Sequence, residues 1–244
     1  MLMDQPLLVL VPGLLCDATV WQPQVQALGG QVRCWVAPND GHSSLAGLAA
    51  DLLRQAPSER FALAGHSMGG RIALEVMRQA PQRVQRLALL DTGWQARAAG
   101  APGEAEQQQR MALVAAARQF GMAELARRWL PGMVRPAAHG SPVYAQMQAM
   151  VEGRRPDTFE TQVQALLARP DAAAVLASLR LPTLVLCGED DQWSPPERHA
   201  AMAQQIPGAQ LVLVPECGHM STLEQPQAVS AALIHWLSWP EPAC

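Results

Sequence analysis

The sequence predicts an α/β fold, a mostly parallel sheet flanked by helices with a block of helices inserted into it. Three observations carry this. Short apolar runs, each ended by Gly, Pro or Asp, alternate with segments of helical apolar spacing on both sides of the chain's middle. The stretch between them, about 95–178, has helical periodicity only. The chain has 244 residues, the size of one domain with an insertion.

The elements follow in order. Leu7 to Val11 is a continuous apolar run stopped by Pro12-Gly13, the pattern of a strand buried on both faces. Val32 to Ala37 is a second strand, stopped by Pro38-Asn39-Asp40-Gly41. Leu45 to Gln55 places Leu45, Leu48, Ala49, Leu52 and Leu53 on one helical face. Phe61–Ala64 is a strand, Arg71–Gln79 a helix and Val84–Leu90 a strand. After the helical block, which Pro102, Pro131, Pro136, Pro142 and Pro156 divide, come a strand over Leu184–Cys187, a helix over Glu197–Gln205, a strand over Gln210–Val214 and a helix over Gln227–Trp239. Strand–helix alternation implies a parallel sheet with helices on both faces. The predicted organisation is a core of residues 1–94 and 179–244 with a helical lid over 95–178.

Composition excludes several classes. With 49% hydrophobic residues and a net charge of -3, disorder is excluded. All 18 basic residues are Arg, with no basic run or stripe, which argues against nucleic acid as a partner. The charge is uneven: the 95–178 block holds nine Arg against seven acids, and the remainder nine against 14, so a +2 insertion sits on a -5 body. Either these are solvated helix faces or the insertion attracts acidic substrates or partners. No apolar stretch is long enough for a membrane span, and the first residues lack the basic and apolar regions of a signal peptide, so the expected location is the cytoplasm. The five Cys include no C-x-x-C pair and are expected to be reduced.

Gly65-His66-Ser67-Met68-Gly69 matches G-x-S-x-G between a predicted strand and a predicted helix. A strand turning sharply into a helix needs small residues around the turn and lifts the Ser67 hydroxyl above the sheet edge. The Met68 N–H then points at any oxyanion formed there. A serine hydroxyl needs a base, and the base an orienting acid, in the chain order serine, acid, histidine. The loop after Leu184–Cys187 offers Glu189, Asp190 and Asp191; Asp191 is favoured, with Asp190 its nearest rival. The loop after Gln210–Val214 offers His219, just past Gly218. The loop after the first strand, Val11-Pro12-Gly13-Leu14, offers the Leu14 N–H as second oxyanion donor. Cys16 and Cys217 fall near these loops, as small packing residues or as thiols beside the site.

Taken together, these motifs resemble the α/β-hydrolase superfamily over about residues 7–239, in particular small bacterial lidded serine esterases of the pimeloyl-[acyl-carrier protein] methyl ester esterase type. Many members carry His-Gly where this chain has Pro12-Gly13. The resemblance implies an acyl-enzyme on Ser67, with His219 as base, Asp191 orienting it, and the Leu14 and Met68 amides binding the oxyanion. It implies a small-molecule ester substrate, no metal and no organic cofactor. Leu15, His66, Trp94, Trp193 and Met220 are expected to contact the substrate. Carrier-bound acyl chains are an alternative, with Arg127, Arg128, Arg154 and Arg155 as contacts for an acyl carrier protein. A lactonase, a C–C hydrolase, a cofactor-free perhydrolase and a non-catalytic binding protein remain open.

Overall fold

The computed structural model describes residues 5–240. Six strands, β1 (Leu7–Val11), β2 (Arg33–Val36), β3 (Phe61–His66), β4 (Val84–Leu90), β5 (Thr183–Gly188) and β6 (Gln210–Val214), form one sheet. Its order is β2-β1-β3-β4-β5-β6 and every pairing is parallel, as the alternation predicts. Strands β1, β3 and β5 are buried along their whole length, which accounts for their unbroken apolar runs. Fully burying each Leu or Val there contributes about 1.5–3 kcal/mol.

The registers put the strand ends level. Val11 pairs with Gly65, His66 with Leu90, Leu90 with Leu186, and Gly188 with Val214. The loops leaving β1, β3, β4, β5 and β6 therefore meet along one edge. The chain crosses from β1 to β2 in one direction and from β2 over β1 to β3 in the other, so the order reverses between β1 and β3. A crevice for ligands opens at such a point.

Helices α1 (Gln22–Leu28), α2 (Leu45–Gln55), α3 (Met68–Gln79), α9 (Pro196–Gln205), α10 (Ser221–Glu224) and α11 (Pro226–Leu237) accompany the strands. Five more, α4 (Ala101–Phe120), α5 (Met122–Trp129), α6 (Pro142–Glu152), α7 (Pro156–Leu167) and α8 (Ala173–Ser178), lie between β4 and β5. Helix α4 packs on α5 and α7, and α5 on α6, whereas α8 packs on α3 and α9. No helix among the described residues is long and apolar enough to cross a membrane.

The differences from the sequence reading have local causes. Helix α3 begins at Met68 rather than Arg71, because tertiary packing overrides the weak helix propensity of Gly69 and Gly70. Strands β3 and β5 run past Ala64 and Cys187 into His66 and Gly188, since neighbouring strands supply their ladder partners. Helix α1, QPQVQAL, escapes periodicity because one of its two fully buried side chains is Gln24. Its amide donates to the Thr222 carbonyl at 3.0 Å and so fixes α1 against α10.

Candidate active site

Ser67 sits between β3 and α3 with φ 56° and ψ -117°, a backbone conformation that costs a non-glycine residue of order 1–3 kcal/mol. Hydrogen bonds hold it there. The Ser67 N–H donates to the Leu90 carbonyl at 2.9 Å, and the Ser67 carbonyl accepts from the Gly70 N–H at 3.0 Å and from Thr92 Oγ1 at 2.6 Å. The turn also needs bare glycines: a Cβ on Gly69 would strike the Val11 carbonyl, and one on Gly70 would come within 2.6–2.8 Å of the Thr92 side chain. Among the described residues the non-glycine positive-φ positions are Leu15, Ser67, Asp91 and Glu216. They lie in the loops that follow β1, β3, β4 and β6, so backbone strain is confined to the edge that carries Ser67.

His219 reaches this edge from the loop after β6. Its Nε2 lies 2.8 Å from Ser67 Oγ and its Nδ1 2.8 Å from Asp191 Oδ2. Asp191 is buried, and its other oxygen accepts from the Trp193 and Ser194 N–H groups, each at 2.8 Å. Burial alone would lower the His219 imidazole, but the Asp191 charge and hydrogen bond outweigh it and hold its pKa above the ordinary value. Burial alone would raise Asp191, but His219 and the two loop amides hold it below the usual carboxylate range. Asp190 points away, half-exposed, and pairs with Arg135 at 2.9 Å.

The backbone of the His219 loop is anchored by Glu224, whose carboxylate accepts from the N–H groups of Gly218, Met220 and Arg135 at 3.0–3.2 Å. The His219 N–H donates to the Met133 carbonyl at 3.0 Å, linking the loop to the inserted block.

The loop after β1 passes beside Ser67. A Cβ on Gly13 would meet Ser67 Cβ at 3.1 Å, and Leu14 lines the cavity that holds the serine. Met68 is the first residue of α3, so its N–H has no intrahelical partner. The next loop residue, Leu15, has φ 62° and donates its N–H to Gln162 Oε1 at 3.0 Å. Gln162, in α7, donates in turn to the Asn39 carbonyl at 3.0 Å, and Asn39 Nδ2 donates to the Gly13 carbonyl at 2.6 Å. A helix of the inserted block thus fixes the loop after β1.

The cavity over Ser67 has a volume of about 230 Å³. Leu14, Met68, Thr92 and His219 form its floor, and α4, α5 and the residues after them contribute Glu106, Arg110, Trp129, Met133, Leu166 and Arg169. Trp193 lines it too and stays 42% exposed under Arg110, whose guanidinium carbon lies 5.5 Å from the ring.

Four residues expected to contact the substrate, Leu15, His66, Trp94 and Met220, do not line this cavity. Leu15 and Met220 are fully buried in the core beneath their loops. His66 is buried too, with Nε2 2.8 Å from the His219 carbonyl, and burial lowers its pKa to about 3, so it is a neutral prop beneath the His219 loop. Trp94 lies behind Gly93, beside Leu74 and Ala172. Cys16 and Cys217 are buried and outside the cavity, and burial raises both thiols, Cys16 to about 12. They are packing residues.

The sequence reading missed Asn39, Gln162, Glu224, Asp91 and His199. No local motif marks them: Asn39, Gln162, Asp91 and His199 act on partners distant in the chain, and Glu224 joins nearby Gly218 and Met220 to distant Arg135. Asp91 is fully buried at the end of β4, accepts from the Gly188 N–H at 3.1 Å and from the Ser221 hydroxyl, and burial together with the Asp191 charge raises its pKa to about 8. His199 Nε2 accepts from the Thr92 N–H at 2.8 Å and so steadies the residue that holds Ser67. Asp91, Asp191 and Cys187 are the one grouping of metal-ligand types among the described residues. Their carboxylate oxygens are engaged by the donors above, and burial raises the Cys187 thiol, so the group reads as a hydrogen-bonded knot.

The sequence matches the profile of the Alpha/beta hydrolase family over residues 8–232. It is 29% identical to a pimeloyl-[acyl-carrier protein] methyl ester esterase of Nitrosomonas europaea, over 91% of this chain and 92% of the relative. It is 27% identical to the candidate carbamate hydrolase RutD of Caulobacter sp. (strain K31), over 96% of this chain and 91% of the relative. Among solved structures it is similar to a thermophilic esterase from Thermogutta terrifontis in a malate-bound form, with a TM-score of 0.85 and 28% identity, covering 95% of this chain and 89% of that one.

Proposed function

The chain belongs to the alpha/beta hydrolase family, and we propose that it hydrolyses carboxylic esters of small or medium acyl groups through an acyl-enzyme on Ser67. One observation carries this reading: the unbroken hydrogen-bonded chain from Ser67 Oγ to His219 Nε2 and from His219 Nδ1 to Asp191, with both contacts at 2.8 Å. Asp191 accepts a hydrogen bond from the Nδ1–H, which keeps the proton on Nδ1 and leaves the Nε2 lone pair facing the serine. His219 takes the Ser67 proton as Oγ attacks the acyl carbonyl. The Leu14 and Met68 N–H groups receive the oxyanion, each contributing ~3 kcal/mol to the barrier reduction. His219 then protonates the departing alcohol, and a water repeats the sequence on the acyl-enzyme. The helices between β4 and β5 act as the cap, since α4, α5 and the end of α7 wall the cavity over the serine.

The expected result with a p-nitrophenyl ester panel of varied acyl length is turnover that falls ~10³-fold or more in Ser67→Ala. A fluorophosphonate should label Ser67 in the wild type. If both proteins are inert and no label attaches, the reading is wrong. Asp191→Asn should lose activity by orders of magnitude where Asp190→Asn loses little, since Asp190 faces Arg135 and not His219.

A second reading keeps the same chemistry but presents the acyl group on a carrier protein. The Nitrosomonas relative carries that substrate in its name. Arg127, Arg128 and Arg155 are exposed on the proposed cap. They pair with Glu124 and Asp157, and Arg154 with Asp40, so the patch is partly neutralised. Unchanged turnover of acyl-carrier substrates in Arg127→Glu/Arg128→Glu would count against this reading.

A further inference from the structure

The cavity over Ser67 is more basic than ester hydrolysis requires. Arg71, Arg110, Arg169 and Arg198 all line it, with Glu106 as its acidic residue above the level of Asp91. Two of the arginines come from the sheet's own helices, Arg71 one turn into α3 and Arg198 in α9. The other two come from the inserted block, Arg110 in α4 and Arg169 just after α7.

Glu106 is already fully used. Arg169 grips both of its oxygens at 2.7 Å, and Arg110 Nε adds a contact at 2.8 Å. Burial alone would raise this carboxylate, yet the two guanidinium groups bring it down to about 2. It therefore stays charged and compensates for one arginine of the four.

Arg71 and Arg198 have no such partner: among the described residues no carboxylate forms an ion pair with either. Arg71 Nη1 donates to the Gln95 carbonyl at 2.9 Å. Arg198 reaches the Trp193 carbonyl and Ser194 Oγ only at 3.4 Å, the long limit for a hydrogen bond. Burial and the like charges of Arg169, Arg198 and Arg110 lower the Arg71 pKa to about 9. Packing like charges together in a partly desolvated cavity is costly, and a bound anion relieves that cost. The planar, forked guanidinium matches a carboxylate in particular.

We propose that Arg71 and Arg198, backed by Arg110 and Arg169, receive a free carboxylate of the substrate, so that the preferred substrates are esters bearing a second, ionised carboxyl group. This rests on the ester-hydrolase reading of Ser67. Half-esters of aliphatic dicarboxylic acids are the simplest such compounds. One end presents the ester carbonyl to Ser67 and the other its carboxylate to the arginines. Bringing two arginines from the body and two from the inserted block onto one anion also ties α4 and α7 to α3 and α9 when substrate is present.

The test separates binding from chemistry. Monomethyl and dimethyl esters of succinic, glutaric and adipic acid are titrated calorimetrically into the Ser67→Ala protein. At one or more chain lengths the monomethyl anion should bind about tenfold tighter than the neutral diester, the margin that one charge-assisted contact supplies. That preference should fall to about threefold or less in Ser67→Ala/Arg71→Met and in Ser67→Ala/Arg198→Gln, and should weaken with added salt. Arg198→Gln keeps the test available if Arg71→Met does not fold. No preference at any chain length, or a preference that survives both arginine substitutions, overturns the proposal. Turnover of the same pairs by the wild type reads the other half. Selective binding with no turnover and no fluorophosphonate labelling removes the hydrolase reading and leaves the carboxylate site standing. Turnover of the diesters without any preference for the anions removes the carboxylate site and leaves the hydrolase standing.

Discussion

At the scale of single residues, the loops of the candidate site are held by side chains that lie outside its cavity. Gln162 satisfies the Leu15 N–H in the loop whose Leu14 amide is the proposed oxyanion donor, and it reaches Asn39, which holds the Gly13 carbonyl. In Gln162→Leu the buried Leu15 N–H is left without a partner, which costs about 1–3 kcal/mol. We expect kcat to drop about tenfold or more with a smaller change in KM, because Leu14 would be misplaced in the transition state rather than in the ground state. Steady-state kinetics on a neutral ester checks it; an unchanged kcat would show that the loop holds itself. His219 carries a second prediction. Its pKa is held above the ordinary imidazole value of ~6.5, and the base works only when neutral, so activity is lost as pH falls through that raised value. The acid limb of kcat/KM should lie above ~6.5. Ser67 and His219 were legible in the sequence because each sits on a local signature, a glycine-bracketed turn and a glycine-preceded loop. Gln162, Asn39 and Arg71 were not, because each acquires its role from partners far along the chain, and Glu224 was not, because no motif marks a carboxylate that joins Gly218 and Met220 to the distant Arg135.

At the scale of elements, the junction of β3 and α3 couples geometry to packing. Gly70 meets Thr92, Thr92 holds the Ser67 carbonyl, and His199 from α9 holds Thr92. A methyl group at Gly70 must push Thr92 aside. Gly70→Ala should destabilise the fold by about 1–3 kcal/mol, as overpacking does. It should also lower kcat more than Thr92→Val, which keeps the shape and loses only the hydroxyl; denaturant melts and kinetics on both variants test the order. The alternation of apolar runs made the strands and their parallel order readable, because a strand buried on both faces has no polar residues to interrupt it. Element ends were less readable: the last residues of β3 and β5 are strand only through neighbours in the sheet. The inserted block shows the same limit. Periodicity marks 95–178 as helical, but only packing separates α8, which lies on α3 and α9, from α4–α7.

At the scale of the whole molecule, charge is sparse and its burial is concentrated beneath the candidate site. Asp91 lies in the protein's interior at the end of β4, near the Asp191–His219 pair, and its pKa stands at about 8 in the folded chain. In an unfolded chain an aspartate titrates near ~3.9. Between these values the folded state holds a proton on Asp91 that the unfolded state has released, so this residue's contribution to stability is full below ~4 and is lost as pH rises towards about 8. The slope from one such group approaches ~1.4 kcal/mol per pH unit. Asp91→Asn removes the ionisation while keeping an acceptor for the Gly188 N–H, and the Ser221 hydroxyl can turn to accept from the new amide. The stability difference between the variant and the wild type should therefore move in the variant's favour on going from pH 5 to pH 8, as read by denaturant unfolding at each pH. A difference independent of pH would mean that Asp91 is ionised throughout and is held by the donors around it. An Asp91 that is protonated below about pH 8 carries no charge to hold the His219 pKa up, so the same substitution should leave the acid limb of kcat/KM nearly in place. A limb that moves to lower pH would instead mean that Asp91 is ionised where His219 titrates, and the two measurements together separate its effect on the whole fold from its effect on the proposed base.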